Sequence, residues 1–465
     1  MSRQTFALNA AISELKQRAG KSQADVRDQL VSGIYAAAGE LCSDVVVYKN
    51  REKLRSTYKL DRIVTSPIWG FPIMLLLLGA VFWLTIAGAN VPSALIADFF
   101  GWIEGYLLDG FHAIGSPEWL TGVLVLGLYR GTSWVISVML PPMAIFFPVF
   151  ALLENFGYLP RVAFNMDRLF KKSGGHGKQA LTMSMGFGCN AAAIMSTRII
   201  ESPRERMLAI LTNNFVPCNG RWPTLILLAS LFMTVGVASS FQTLTTALIL
   251  IGMVLIGIVV TLTVSWTLSK TMLKGVPTHY TLELPPYRKP QYLKTILLAS
   301  RERSWAVLKR AVVVAAPAGV LTWILGNIYV GDVSVLNHMA AFFDPFAHAI
   351  GLDGFILMAF ILGLPANEIV LPILLMGYLS SGAMVDADGM TNIKELFLSH
   401  NWTWLTALNM MLFSLLHYPC GTTLINIFKE TRSPKWTFLS FLLPTAIAIG
   451  VTFVVTQVVR GFGLV

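Results

Sequence analysis

Apolar residues gather into runs near 68–89, 133–153, 207–233, 243–266, 311–330, 404–427 and 436–459. Each run is long enough for the roughly 20 residues that a helix needs to cross a bilayer's hydrocarbon. Two shorter apolar segments, 181–197 and 355–379, are interrupted by glycine and asparagine. The first 66 residues differ. Their mixed polar and apolar spacing, as in ADVRDQLVSGIYAAAGELC at 24–42, predicts short amphipathic helices, and no cleavable signal peptide precedes the first apolar run. A second polar stretch at 267–309, rich in Pro, Lys and Arg, reads as a linker, although PTHYTLELPPYRKPQ within it could equally dock a partner. The pattern predicts an all-α polytopic membrane protein of about seven spans plus two hairpins.

The two interrupted segments are copies of one another. MDRLFKKSGGHGKQALTMSMGFGCN at 166–190 and FDPFAHAIGLDGFILMAFILGLPAN at 343–367 align without a gap, so that Asp167, Gly174, Gly177, Gly186 and Asn190 fall on Asp344, Gly351, Gly354, Gly363 and Asn367. Further on, FVPC ending at Cys218 answers LHYPC ending at Cys420. Duplicated, interrupted hydrophobic segments are the sequence mark of a binding site built from broken helices at membrane depth.

Composition agrees with the pattern: 55% of residues are hydrophobic and 13% charged, too few charges to coat a soluble body of 465 residues. The net charge of +10 would suit nucleic acid, but its placement excludes that reading. Lys and Arg concentrate in loops 157–180, 198–206 and 267–310, whereas 90–118 and 331–354 hold carboxylates and no Lys or Arg. Basic loops stay cytoplasmic, so the loop before the first copy is inside and the acidic loop before the second is outside. The copies are therefore expected to be inverted, each hairpin re-entering from its own face, with both tips near the midplane. The resulting division is a cytoplasmic helical lead-in at 1–66, a first span and non-cytoplasmic segment at 67–118, repeat 1 at 119–235, a connecting span and linker at 236–309, the inverted repeat 2 at 310–430, and a C-terminal span at 431–465.

Candidate chemistry sits at the interruptions. Gly186 and Gly188 allow an unwound turn before Cys189 and Asn190, and Pro217 and Pro419 remove backbone donors before Cys218 and Cys420, freeing carbonyls one turn earlier. Thiolate with amide and carbonyl oxygen suits a borderline transition metal better than a hard cation, although a lone cysteine is as readily a packing residue. Glu368 beside Asn367, and Glu154 beside Asn155, are carboxylates in apolar segments, where an ionisable group is costly and marks a pathway; Glu154 could equally lie at the cytoplasmic interface. Met183, Met185, Met195, Met410 and Met411 read as packing more than as thioether ligands. Cys42 has no such context, and no disulfide is expected. No Ser/His/Asp set or HExxH motif supports an enzyme.

LLENFGYLPRVAFNMDRLFKKSGGHGK, GFGCNAAAIMSTRIIESPRERML, FVPCNGRWP and PCGTTLINIFKET together resemble the membrane portion of FeoB-type ferrous iron transporters, over about 25–460. The resemblance implies Fe(2+) as transported substrate with no permanently bound cofactor, and Cys189, Cys218 and Cys420 along the iron path with Glu154 and Glu368 as auxiliary ligands. It also implies a bacterial cytoplasmic membrane location with the N-terminus inside. Besides membrane lipid, a separately encoded GTP-binding protein, a small Feo-type accessory protein and a second copy of the chain are the partners it suggests. Three departures stand out. No G-x-x-x-x-G-K-[ST] loop is present, so this chain is not expected to hydrolyse nucleotide. ANE at 366–368 lacks the lysine that often precedes the glutamate, and Asn219 and Gly220 replace the usual small residues after Cys218. Another divalent metal, or a nucleoside-like solute on the same gate repeats, is the alternative substrate.

Overall fold

The computed structural model describes residues 23–43, 51–66, 68–234, 238–275, 287, 291–380, 382, 384 and 393–463. Most of the segment PTHYTLELPPYRKPQ, and part of the insertion at 380–400, lie outside them. The protein is an all-α polytopic membrane protein. Among the described residues five helices are long and apolar enough to cross a bilayer, and the one sheet is a two-stranded ribbon pairing β1 (Tyr329–Val330) with β2 (Val333–Ser334). In chain order the helices are α1 (Gln23–Ser43), α2 (Arg51–Val64), α3 (Gly70–Ala113), α4 (Glu118–Phe156), α5 (Tyr158–Lys172), α6 (Gln179–Gly186), α7 (Asn190–Ser196), α8 (Pro203–Thr212) and α9 (Trp222–Leu228, continued by Ala229–Met233). There follow α10 (Ser239–Lys270), α11 (Tyr292–Leu298), α12 (Trp305–Asn327), α13 (Val335–Ala349), α14 (Gly354–Leu362), α15 (Val370–Leu379), α16 (Ile393–Ser399), α17 (Trp404–Leu416), α18 (Gly421–Thr431) and α19 (Pro434–Gly461).

Three of the expected spans have a different form. The first does not end near residue 89: α3 runs 44 residues to Ala113, about 66 Å at 1.5 Å per residue, twice the hydrocarbon thickness. Its C-terminal half is held against α4 by an ion pair of Glu104 with Arg130 and by Tyr129 Oη donating to Phe100 O at 3.0 Å. Those polar contacts, invisible to a hydropathy count, keep the chain helical where a loop was expected. The run 207–233 is not a continuous span either. It breaks between α8 and α9 at Asn213–Arg221, as its counterpart breaks between α17 and α18 at His417–Cys420.

The duplication holds element by element. Moving α5 by 177 positions gives the bounds of α13, and α6 and α7 fall on α14 and on the turn Asn367–Ile369 that opens α15. In both copies an aspartate closes the turn before the hairpin: Asp167 Oδ1 accepts from Gly177 N at 3.1 Å, and Asp344 Oδ1 accepts from Gly354 N at 2.9 Å. The tip residues match as well, with φ,ψ of −155°,118° at Cys189 and −151°,122° at Ala366. In each hairpin the two ends lie together. Lys178 Nζ, before α6, donates to Ile199 O at 3.1 Å and Glu201 Oε1 at 3.2 Å, beyond α7, so both ends of the first hairpin emerge at one face. In the second, Tyr378 Oη donates to Asp353 Oδ2, joining residues that are the counterparts of Glu201 and His176.

His176 caps the first hairpin by accepting from Lys178 N at its Nδ1, at 3.0 Å. Burial lowers its pKa, partly offset by Glu205 and Asp167, so the uncharged ring is the native form. An imidazole whose folded pKa lies below its unfolded value of about 6.5 contributes stability above that value and loses it as the pH falls towards the folded pKa. Detergent-solubilised protein should therefore melt at lower temperature at pH 5.5 than at pH 7.5, and His176→Asn, which can still accept the Lys178 amide, should flatten that dependence. An unchanged pH profile in the variant would assign the effect to another group.

At the polar end of α4 and α5 three segments meet on one buried cation. Arg161 is fully buried; its Nε and Nη2 donate to Asp61 of α2 at 3.0 and 3.2 Å, and Nη1 donates to Gly157 O at 2.7 Å. Tyr287 donates its hydroxyl to Asp61 at 2.9 Å and lays its ring 4.2 Å from the guanidinium. Burial, then the Asp61 hydrogen bond, push the Tyr287 phenol up to about 12.

Candidate functional site

Each copy supplies one hairpin tip and one Pro-Cys turn, and all four converge. The tip of the first hairpin is fixed to its own broken span by Asn219 N donating to Gly188 O at 3.2 Å, and the second by Gly421 N donating to Leu364 O at 2.7 Å. Between them lies a cavity of about 30 Å³, room for one or two water-sized occupants. Cys189, Asn190, Cys218, Asn367, Glu368 and Cys420 all line it. Cys189 and Cys218 are buried and Cys420 is half-buried; all three are free thiols.

The polar groups around the cavity are held from behind. Asn190 Oδ1 accepts from Asn213 Nδ2 at 3.2 Å, and Asn190 Nδ2 reaches Val216 O at 3.5 Å. Asn367 Nδ2 donates to Cys218 Sγ at 3.8 Å, while its own Oδ1 is buried with no hydrogen-bond partner in the protein. A buried amide oxygen in that state is an acceptor held ready for an incoming cation or water. Cys420 Sγ lies 3.2 Å from Thr423 Oγ1. Among the described residues no three Cys, His, Asp or Glu side chains stand close enough to ligate one ion together. The arrangement is a small cavity lined by thiol, amide and carboxyl groups from both copies.

Gly220, one of the departures noted in the sequence, has a geometric reason. A β-carbon there would lie 2.2 Å from Glu368 Oε1 and 2.4 Å from its Cδ, so the missing side chain is what makes room for the Glu368 carboxyl beside the cavity. Glu154 is not part of the group. It lies exposed in the last turn of α4, where its carbonyl accepts from Gly157 N at 2.9 Å, at the polar end of that helix. Of the methionines singled out, Met183 lines a separate apolar cavity between α3, α4, α5, α6 and α10, and Met410 and Met411 are core. The thioethers at the cavity are Met139 and Met143. Their spacing of four places them on one face of α4, a signal present in MLPPM and overlooked.

A second overlooked residue corrects the expectation for the helix breaks. Carbonyls at the breaks are already paired inside the protein: Asn213 O, four before Pro217, accepts from Val216 N at 3.3 Å, and others are met by an arginine. Arg221, 1% exposed, reaches back to them: Nη1 donates to Asn214 O at 2.8 Å and Leu415 O at 2.9 Å, and Nη2 to Asn214 Oδ1, Tyr418 O and His417 O at 3.2, 3.2 and 3.3 Å. Leu415 is the residue four before Pro419, whose missing N–H left its carbonyl free. An arginine inside a run read as a span was itself the signal, because an ionisable group there calls for a partner.

Residues 136–232 and 308–434 match the Gate family, described as nucleoside recognition, and residues 250–303 match the family described as ferrous iron transport protein B C terminus. A protein of Staphylococcus aureus named Fe(2+) transporter FeoB is 30% identical over 90% of this chain and 61% of its own length. The protein of that name in Methanocaldococcus jannaschii is 28% identical over 97% of this chain and 65% of its own length. A Porphyromonas gingivalis protein named as a fusion of Fe(2+) transport protein A and Fe(2+) transporter FeoB is 27% identical over 88% of this chain and 53% of its own. The chain spans about three fifths of the length of the Staphylococcus aureus relative. No solved structure matches. The two Gate matches fall on the two copies that meet at the cavity and the third match falls on the connection between them, and with relatives aligned along nine tenths of its length this chain belongs to the FeoB family.

Proposed function

We propose that this chain forms the membrane path of a ferrous iron transporter, with Fe(2+) passing between the two hairpin tips. The observation that carries the reading is the cavity itself: three thiols, three asparagines and a glutamate contributed by both copies line a space of about 30 Å³. Sulfur with amide and carboxylate oxygen matches a borderline divalent ion. The nucleoside alternative is disfavoured by size, since pockets for organic ligands run to several hundred Å³. The names of the relatives support iron over other divalent metals, and the fused relative supports an accessory partner of the transport protein A kind. Purified protein in liposomes loaded with an iron-quenched dye should pass Fe(II) and exclude Mg(II); equal flux of both would defeat the proposal.

In this reading the basic loops lie in the cytoplasm and the two hairpins open to opposite faces. A protein carrying Cys42→Ser should take up an impermeant thiol reagent from the cytoplasmic face at Lys172→Cys and Glu201→Cys, and from the other face at Asp332→Cys. Labelling of all three from one face would remove the inversion.

A further inference from the structure

We propose that Arg221 is a specificity-determining residue, a tethered cation that occupies the oxygen cage opened by both helix breaks and thereby withholds hard ligands from the passing ion. The inference rests on the reading of the cavity as the ion path. Broken helices in membranes ordinarily offer their unwound carbonyls to a small hard cation. Here the carbonyls of Asn214, Leu415, His417 and Tyr418 and the side-chain oxygen of Asn214 are gathered by one guanidinium, drawn from both copies.

This cage is asymmetric. The position in the second copy that answers Arg221 at the offset of the Pro-Cys pair is Thr423, whose hydroxyl lies against Cys420 Sγ, so a single arginine serves both breaks. Five oxygens at such a point, left open, would resemble the all-oxygen shell that Ca(II) or Na(I) takes and that a thiol passage does not offer. With the guanidinium in place, an ion between the tips meets sulfur, the Asn367 amide and the Glu368 carboxyl. Arg221 also ties the turn before Cys218 to the turn before Cys420, which keeps the two thiols on one cavity.

Fe(II), Mn(II) and Ca(II) fluxes measured one metal at a time in liposomes test this. Arg221→Met removes the charge and all five hydrogen bonds, and should raise the Mn(II):Fe(II) and Ca(II):Fe(II) flux ratios by about tenfold or more, as a hard oxygen cage becomes available. Arg221→Lys, which keeps the charge with fewer donors, should fall between that variant and the parent. Parent ratios in a monodisperse Arg221→Met or Arg221→Lys protein would overturn the proposal and leave Arg221 a structural tie. Should neither fold, Asn214→Ala removes one oxygen of the cage and its grip on the guanidinium, and must shift the ratios in the same direction or the proposal fails. Cys218→Ser measured alongside separates the two levels. If it changes neither rate nor ratio, the Cys218 thiol is no ligand on the path and the reading of the cavity as a soft-ligand site fails; if it changes them while the Arg221 and Asn214 variants keep the parent ratios, only the role of Arg221 is wrong.

Discussion

Serine at Cys218 should lower Fe(II) flux by one to two orders of magnitude while leaving the protein folded. The substitution exchanges sulfur for oxygen at nearly constant volume, so the buried wall of the passage stays filled, and Asn367 Nδ2, now 3.8 Å from the sulfur, keeps an acceptor. What changes is the ligand: a borderline ion loses its soft donor, and even outer-shell changes at metal sites typically cost about 10–100-fold. Serine at Cys189 and at Cys420 should act in the same direction, and Cys42→Ser, on an exposed helix far along the chain, should do nothing. Flux of Fe(II) in liposomes at matched protein, with size-exclusion profiles as the control for folding, decides it. Parent-like flux in all three variants would make the cysteines packing residues and leave Asn190, Asn367 and Glu368 to carry the ion.

Gly220→Ala should do comparable damage by a different route. The added methyl would overlap Glu368 Oε1, Cδ and Cγ, all atoms of a side chain that can swing aside, so the carboxyl should be expelled from the passage while the backbone stays put. Overpacking of this sort costs about 1–3 kcal/mol where nothing can move, and less where a side chain can. Transport should fall about tenfold or more with little change in melting temperature. A cycle with Glu368→Ala isolates the cause: in that background the alanine at 220 should cost nothing further, because the atoms it displaced are gone. If the two losses add instead, Gly220 matters for a reason unrelated to the carboxyl.

The lines that could be read from sequence are those written twice. Asp167 and Asp344, the paired glycines, Asn190 and Asn367, and the Pro-Cys pairs recur at fixed offsets because each copy must build the same capped turn, half-length hairpin and helix break, and the structure returns them in register. What was written once stayed hidden. Arg221 has no counterpart at Thr423, so the repeat did not flag it, and Gly220 acquires meaning only from Glu368, 148 positions later. Met139 and Met143 lie on a helix outside the duplicated motif. Glu154 was left between pathway and interface because apolar sequence runs to the very end of α4, so the depth of a carboxylate could not be judged from its neighbours. The overrun of α3 depends on Glu104 meeting Arg130, a pairing of distant positions that no window on hydropathy reports.

The Asp61–Arg161–Tyr287 contact bears on where this protein can be cut. A boundary drawn after Ser66 looks natural, since polar sequence ends there and the first apolar run begins. Yet Arg161 is fully buried and Asp61, on the far side of that boundary, supplies the carboxylate against it. Removing one partner of a buried ion pair typically costs roughly 3–5 kcal/mol, because the survivor keeps its charge without compensation. A chain begun after Ser66 would therefore be a wounded membrane body and not a self-sufficient module. The polar strap is part of the same folding unit as the helices it leads into, and excision experiments that spare Asp61 and Tyr287 are the ones whose results report on transport rather than on collapse.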